Sequence, residues 1–358
     1  MLKILLLCFF SIFIVISFYV DRLSLISRRQ IFAVAFLGIA IICASYPAAL
    51  RLDATAYIEA FLYSPSSLSD FGFDNLSNGL SKYSEKGFFL LTSVIHFFTE
   101  SSDVYYFMIT ILSFAIIYWG VTRYGIYPMT ALCIYLARFM AGRNFAQVRS
   151  ALAIPILILG VKYITERKLY KFLIIIFISY HLHHSALIFL PLYFLPQFKL
   201  RKIHIVGATL VAFLFALVAG DIIYDVLSHI DFVQDMAGDY VDKESGSVWL
   251  YDAGLTNPMI YFQIIVLFWF TFEEKYLRRV SPHYYVMRDG YFISTLLLIM
   301  LTQFGTLAGR LSTIMATFEM FMLPMFLNIY TRRSRTFIYV FIFFVCVIFF
   351  SKNISSFI

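Results

Sequence analysis

Long apolar runs, broken by short basic turns and two long polar stretches, set the rhythm of this chain. A membrane-crossing helix needs roughly 20 predominantly apolar residues. Runs of this kind predict helices at about Leu2–Val20, Gln30–Ala49, Asp103–Val121, Tyr127–Met140, Gln147–Thr165 and Tyr170–His184. Ser185–Phe198 follows, short and expected to kink at Pro191 and Pro196. Further helices are predicted at about Ile203–Gly220, Pro258–Phe272, Gly290–Gln303, Arg310–Tyr330 and Thr336–Phe350. Gly87–Phe98 is apolar but short. Segments of about 10–14 apolar residues are more often re-entrant or interfacial than spanning, so this one is read as re-entrant. The expected fold class is an all-α polytopic membrane protein with about twelve transmembrane helices and one re-entrant segment. It forms a single integral membrane domain over 1–358, with outer loops at 50–102 and 221–257. No internal repeat and no soluble domain stands out.

Charge then orients the helices. Lys and Arg in short loops stay on the cytoplasmic side. Arg22, Arg28 and Arg29 outweigh Lys3, so the N-terminus faces out and the first loop faces in. The turns carrying Arg123, Arg167 with Lys168 and Lys171, Lys199 to Lys202, Lys275 to Arg288, and Arg332 to Arg335 all fall inside, provided Gly87–Phe98 does not cross. The two polar stretches then lie outside, and the second is rich in Asp, with Lys243 as its base. Its first part, from Ile222 to Val233, is amphipathic and suits the membrane surface.

Composition agrees with the pattern. The 358 residues are 61% hydrophobic and 14% charged, where a soluble chain has about 25% charged residues. The net charge of +7 is sorted by membrane side and does not point to nucleic acid. Cys8, Cys43, Cys133 and Cys346 sit in apolar runs, with no disulfide or zinc spacing. Met1–Val20 looks like a signal peptide, but no A-x-A cleavage site follows, so it reads as a retained helix.

The candidate chemistry gathers at the outer helix ends. Arg138, Arg143, Arg149 and Arg310 sit where the positive-inside rule disfavours them. Arg143, Arg149 and Arg310 each lie at or near the start of an inward-running helix. A helix N-terminus with a guanidinium suits a phosphate group. Snorkelling to ordinary lipid phosphates is the plain alternative for any one of them. His181, His184 and Ser185 share a helical face, with His183 turned away unless the helix breaks there. A histidine here could take a proton from an attacking hydroxyl, or could simply be a polar helix end. Asp53, Tyr57 and Glu85 flank the first outer loop. Either carboxylate could be a base, or could orient a histidine or an arginine. Asp53 and Tyr57 are neighbours at i, i+4. Glu319 is the one acid deep in an apolar run, and a structural hydrogen bond is its expected role. No nucleotide-binding glycine pattern is present, so an outer-face enzyme would draw its energy from a lipid pyrophosphate linkage.

Five motifs carry a resemblance. D-A-T-A-Y from Asp53, E-K-G-F from Glu85, V-R-S-A-L-A from Val148, H-H-S-A-L-I-F-L-P-L from His183 and G-R-L-S-T-I from Gly309 occur in that order. In order and spacing the chain resembles the EpsG-like, Wzy-type bacterial polysaccharide (O-antigen) polymerases, from about Arg51 to Tyr330. The resemblance implies a GT-C-like glycosyltransferase in the bacterial inner membrane, with its active site facing the periplasm. It would pass a growing glycan from undecaprenyl pyrophosphate to a lipid-linked repeat unit, without metal or cofactor. Its partners would be donor and acceptor oligosaccharides on that lipid, membrane lipids and a chain-length regulator. By motif, Arg149 and Arg310 match the family arginines, and Asp53, Tyr57 and Glu85 match the first-loop pattern. His183 matches the family histidine, whereas helical spacing favours His184. The resemblance thus leaves His183, His184, Asp53 and Glu85 as catalytic candidates, and Arg143, Arg149, Arg310 and Tyr57 as pyrophosphate or substrate ligands. Rival readings are a glycan ligase, a membrane acyltransferase and a lipid-linked glycan flippase.

Overall fold

The computed structural model describes residues 2–66, 85–218, 254–329 and 332–355. Most of the loop at 221–257, with its acidic and amphipathic stretches, lies outside those residues. So does the middle of the first outer loop.

The described residues form helices joined by turns, with no strand among them. In chain order the α-helices are α1 (Leu2–Val20), α2 (Leu25–Ala44), α3 (Ala54–Leu62), α4 (Lys86–His96), α5 (Ser102–Tyr124) and α6 (Pro128–Tyr135). A π-turn (Leu136–Met140) and a last turn (Ala141–Asn144) extend α6. Then come α7 (Val148–Leu159), α8 (Val161–Thr165) and α9 (Leu169–Leu182). Two 3-10 stretches, His184–Tyr193 and Leu195–Phe198, stand where the kinked Pro191/Pro196 segment was predicted. The series ends with α10 (Lys202–Val218), α11 (Pro258–Phe272), α12 (Glu274–Val280), α13 (Tyr284–Met300), α14 (Gly305–Ala316), α15 (Glu319–Met325) and α16 (Arg332–Ile354).

Five described helices are long and apolar enough to cross a membrane: α1, α2, α5, α16, and α7 taken with α8. The bent pair α14–α15 makes a sixth if read as one span. Helices α9, α10 and α11 are apolar but shorter. The chain is therefore a multi-pass membrane protein, helical without strands over the described residues, and the described spans of full length are fewer than the twelve expected. Two predicted single helices are interrupted. The run from Gln147 to Thr165 breaks at Gly160. The run from Arg310 to Tyr330 bends by 51° after Ala316. There Thr317 turns its hydroxyl back onto the carbonyls of Thr313 and Ile314, and Pro324 follows without an N–H.

The chain packs as two compact units. The first comprises residues 1–160, 170–187 and 323–358. In it α1 lies along α16 through the stacked pair Phe10 and Phe350, with centroids 3.9 Å apart. The opposite face of α1, with Phe9, Ile12, Ile16 and Tyr19, is exposed as a lipid-facing stripe. Helix α2 packs on α5 through Phe32, Phe36, Phe114 and Tyr118. Helix α5 packs on α7, where the Ser113 hydroxyl donates to the Ala151 carbonyl at 2.8 Å. The N-terminus of α6 is capped from afar. The Asp21 carboxylate accepts from the backbone N–H groups of Met129 and Thr130 and from the Thr130 hydroxyl.

The second unit comprises residues 161–169 and 188–322. Its centre is α13, flanked by α10, α11 and α14. The buried Glu319 accepts a hydrogen bond from Tyr291 at 2.9 Å, the structural role expected of it. Arg288 and Asp289, both fully buried, pair at 2.7 Å. Gly290 leaves room for the Phe318 ring, and a Cβ there would collide with it. At the basic turn Arg167 takes a left-handed conformation (φ 58°) and the Lys168 N–H reaches back to the Tyr163 carbonyl, closing the end of α8. Arg167 is held by the Tyr193 carbonyl at 2.7 Å.

Candidate functional site

The first unit gathers four of the predicted residues around one buried carboxylate. Glu85 occupies the N-cap position of α4, but its side chain does not cap the helix. Both carboxylate oxygens face elsewhere. Oε2 accepts from Arg149 Nη1 at 2.5 Å, and Oε1 faces His183 Nδ1 at 3.2 Å. Arg149 Nε donates to the Tyr57 hydroxyl at 3.4 Å, and Tyr57 itself is buried. Glu85 is only 3% exposed, while Arg149 and His183 are each about a quarter exposed, so the cluster opens on their side.

Four elements position these groups. Tyr57 comes from α3, Glu85 from the head of α4, Arg149 from the first turn of α7, and His183 from the residue after α9. An aromatic core holds three of them together. Phe61 stacks on Tyr105 at 4.5 Å, and Tyr57, Phe88, Tyr106, Ile109, Val148 and Leu152 belong to the same cluster. The far end of α4 is tied down as well, with His96 Nδ1 2.8 Å from the Ser64 carbonyl oxygen. Gly87 makes the meeting of α4 and α9 possible. A Cβ on Gly87 would lie 2.7 Å from the His181 Cβ and 2.8 Å from its carbonyl oxygen. The two backbones touch there, two residues from both Glu85 and His183.

Helix α9 ends at Leu182, one turn's fraction earlier than its sequence pattern suggests. The His183 N–H still bonds the Ser179 carbonyl at 2.8 Å, and at this helix end its imidazole meets Glu85. His184 starts the 3-10 stretch and stacks on Tyr180 at 4.6 Å. Between the two histidines left open by the sequence, the one matching the motif is the one that meets the carboxylate.

Burial alone would push the Glu85 carboxyl up. The His183 hydrogen bond and the Arg149 charge outweigh it and hold the group down at about 2. Glu85 is therefore ionised under all ordinary conditions. His184 is shifted the other way. Burial lowers it, against a raising pull from Glu85, and so favours the neutral imidazole.

Other predicted residues fall elsewhere. Arg149 does sit in the first turn of its helix, as expected. Arg143 does not. The helical path runs on through Asn144, so Arg143 lies in a last turn, buried, with its guanidinium 4.6 Å from the centre of the Phe139 ring. Arg310 is likewise not at a helix start. Helix α14 begins at Gly305, because Thr306, Leu307 and Ala308 continue the helix backwards, and Arg310 belongs to the second unit. Asp53 is the half-buried N-cap residue of α3, and no hydrogen bond or ion pair among the described residues joins it to Arg149 or His183.

One residue was missed. Arg51 is 3% exposed and binds backbone carbonyls of Asn144 (2.7 Å), Tyr46 (3.0 Å) and Cys43 (3.3 Å). Its guanidinium also lies over the Tyr106 ring at 4.6 Å. It thereby fixes the turn between α6 and α7 that presents Arg149. A base at the edge of a polar loop gave no sign of this, since its partners are carbonyls contributed by distant segments.

A multi-pass helical membrane protein with a carboxylate clamped between a guanidinium and an imidazole is the class these features define. The chain belongs to the EpsG family, whose pattern matches residues 34–357. This is a family of Wzy-type polysaccharide polymerase-like membrane proteins. No curated protein and no solved structure matches the chain.

Proposed function

We propose that the protein polymerises a bacterial surface polysaccharide of the O-antigen type at the outer face of the cytoplasmic membrane. It would move a growing glycan from undecaprenyl pyrophosphate onto a lipid-linked repeat unit by an inverting, metal-independent transfer within a GT-C-like helical fold. The observation that carries this reading is the meeting of Glu85, Arg149, His183 and Tyr57, drawn from four of the five motifs. A glycosyl transfer from a lipid pyrophosphate makes two demands. The departing pyrophosphate needs positive charge, and the attacking hydroxyl needs a proton acceptor. Arg149, at the positive end of α7, meets the first demand. A histidine or carboxylate of the set His183, His184, Asp53 and Glu85 meets the second. The roles proposed here are confined to the first unit.

The test is a gel of surface and lipid-linked glycan from cells with and without the chain. The expected result of deletion is collapse of a ladder of long chains to a single repeat unit. Long chains that persist on the carrier lipid would point to a ligase instead. An unchanged ladder would overturn glycan transfer and favour an acyltransferase.

A further inference from the structure

The geometry points to His183 Nε2 as the atom that takes the acceptor proton, with Glu85 as a positioning residue that fixes the imidazole rather than as the base. This inference rests on the polymerase reading and narrows it from four candidate bases to one.

Three observations carry it. First, both oxygens of Glu85 are already committed, one to Arg149 and one to His183, and the residue is 3% exposed. A carboxylate that is buried and doubly bound has no face to offer a sugar hydroxyl. Second, a carboxylate accepts, so His183 Nδ1 must carry the hydrogen in the 3.2 Å contact. The lone pair of the neutral ring is then on Nε2. A second-partner carboxylate setting the tautomer of a basic imidazole is a recurrent arrangement in acyl transfer. Third, His183 and Arg149 are the exposed members of the cluster, so they are the ones a substrate can touch. Asp53 and His184 do not share this arrangement. Among the described residues no hydrogen bond or ion pair joins Asp53 to the cluster, and the His184 ring stacks on Tyr180 rather than bonding Glu85 in the way His183 does.

The step balances. The acceptor oxygen forms its bond to the anomeric carbon while its proton passes to His183 Nε2. The bond from that carbon to the phosphate oxygen breaks, and its electron pair leaves on the pyrophosphate. Before the step Glu85 and Arg149 cancel and His183 is neutral. After it the cluster holds one net positive charge, gained as the pyrophosphate gains negative charge. The imidazolium later returns its proton to the leaving group or to water. Among the described residues, Glu85 at the head of α4 faces His183, Arg149 on α7 and Tyr57 of α3 stand behind Glu85, and His181 and His184 lie beside His183 in the chain.

The experiment uses the full chain in lipid nanodiscs, with lipid-linked repeat units as substrate. His183→Asn is expected to lower kcat by about 10²–10⁴-fold at near-constant KM. Glu85→Gln keeps an acceptor oxygen but loses the charge. It should lower kcat by at least about tenfold and move the acidic limb of the pH profile down by about one pH unit, because the imidazolium loses its neighbouring anion. A merely structural glutamate would lower activity without moving that limb. The tautomer is read independently of activity, from 15N spectra of labelled histidines, with His183 identified by its loss in His183→Asn. The expected signal is the Nδ1–H form, kept in Glu85→Gln, whose amide oxygen still accepts from Nδ1–H. An Nε2–H form in the unaltered protein would overturn the inference, as would unreduced elongation by His183→Asn. Absence of elongation by the unaltered protein would overturn the polymerase reading itself and the acceptor role with it.

Discussion

Glu85 and Arg149 form a pair that neither residue could keep buried alone. Removing one partner of a buried ion pair strands the other, at a cost of about 3–5 kcal/mol. Arg149→Ala is therefore expected to lower the thermal unfolding midpoint of the purified protein and to abolish polymer in cells that still carry the chain in their membranes. Full-length polymer from that variant would remove Arg149 from the mechanism. The pair also has a pH signature. The folded-state value of Glu85 is depressed from 4.5 to about 2, so its stabilising contribution is complete above pH 4.5 and is lost as pH falls towards 2. Unfolding midpoints taken between pH 6 and pH 3 should fall for the unaltered protein, and the fall should be shallower for Glu85→Gln. The residue types were legible in the sequence. Arg149 stood out as a cation on the wrong side of the membrane, and Glu85 as an acid beside an apolar run. Their pairing was not, because 64 residues separate them and helical spacing says nothing across that distance.

At the scale of elements, two contacts set how the site is built. Gly87→Ala places a Cβ under 3 Å from the backbone of α9, so α4 must move away and Glu85 with it. Overpacking of this kind costs about 1–3 kcal/mol, and polymer should be lost even though no ligand of the site has changed. Gly38→Ala is the matched control. It meets nothing within 4 Å and should leave the glycan ladder unaltered. Asp21 gives the contrasting case, since it caps α6 from outside the site. Asp21→Ala should destabilise the protein by about 1–2 kcal/mol, read in the same unfolding assay. The modal glycan length made by the surviving protein should not shift. Helix positions followed from the apolar pattern, and Pro258–Phe272 matches it residue for residue. Helix ends were harder to read. The early end of α9 and the bend after Ala316 depend on hydrogen bonds and backbone contacts that a periodicity does not encode.

For the whole molecule, orientation in the membrane decides whether the cluster can meet a glycan. The basic short loops imply that Lys168 faces the cytoplasm and Ser101 faces out. In a background without the exposed Cys8, Ser101→Cys should react with an impermeant maleimide in intact spheroplasts. Lys168→Cys should react only after the membrane is opened. The reverse pattern would put the Glu85 cluster on the cytoplasmic side and exclude an outer-face transfer. By itself the sequence determined the class of this protein. Some three-fifths of the chain is apolar and falls in long runs, which marks a membrane protein, and charge sorted between loops predicts its orientation. It also nominated Glu85, Arg149 and the histidines, because charge and imidazole near lipid are costly and few. Only the tertiary structure decided which of them meet. It set His183 against Glu85 at the end of α9, left Asp53 apart from the cluster, and recruited Arg51 to hold the turn behind Arg149. The reason is physical. Period and composition record how each residue meets lipid or its own helix, whereas a site is made where residues distant in the chain share hydrogen bonds.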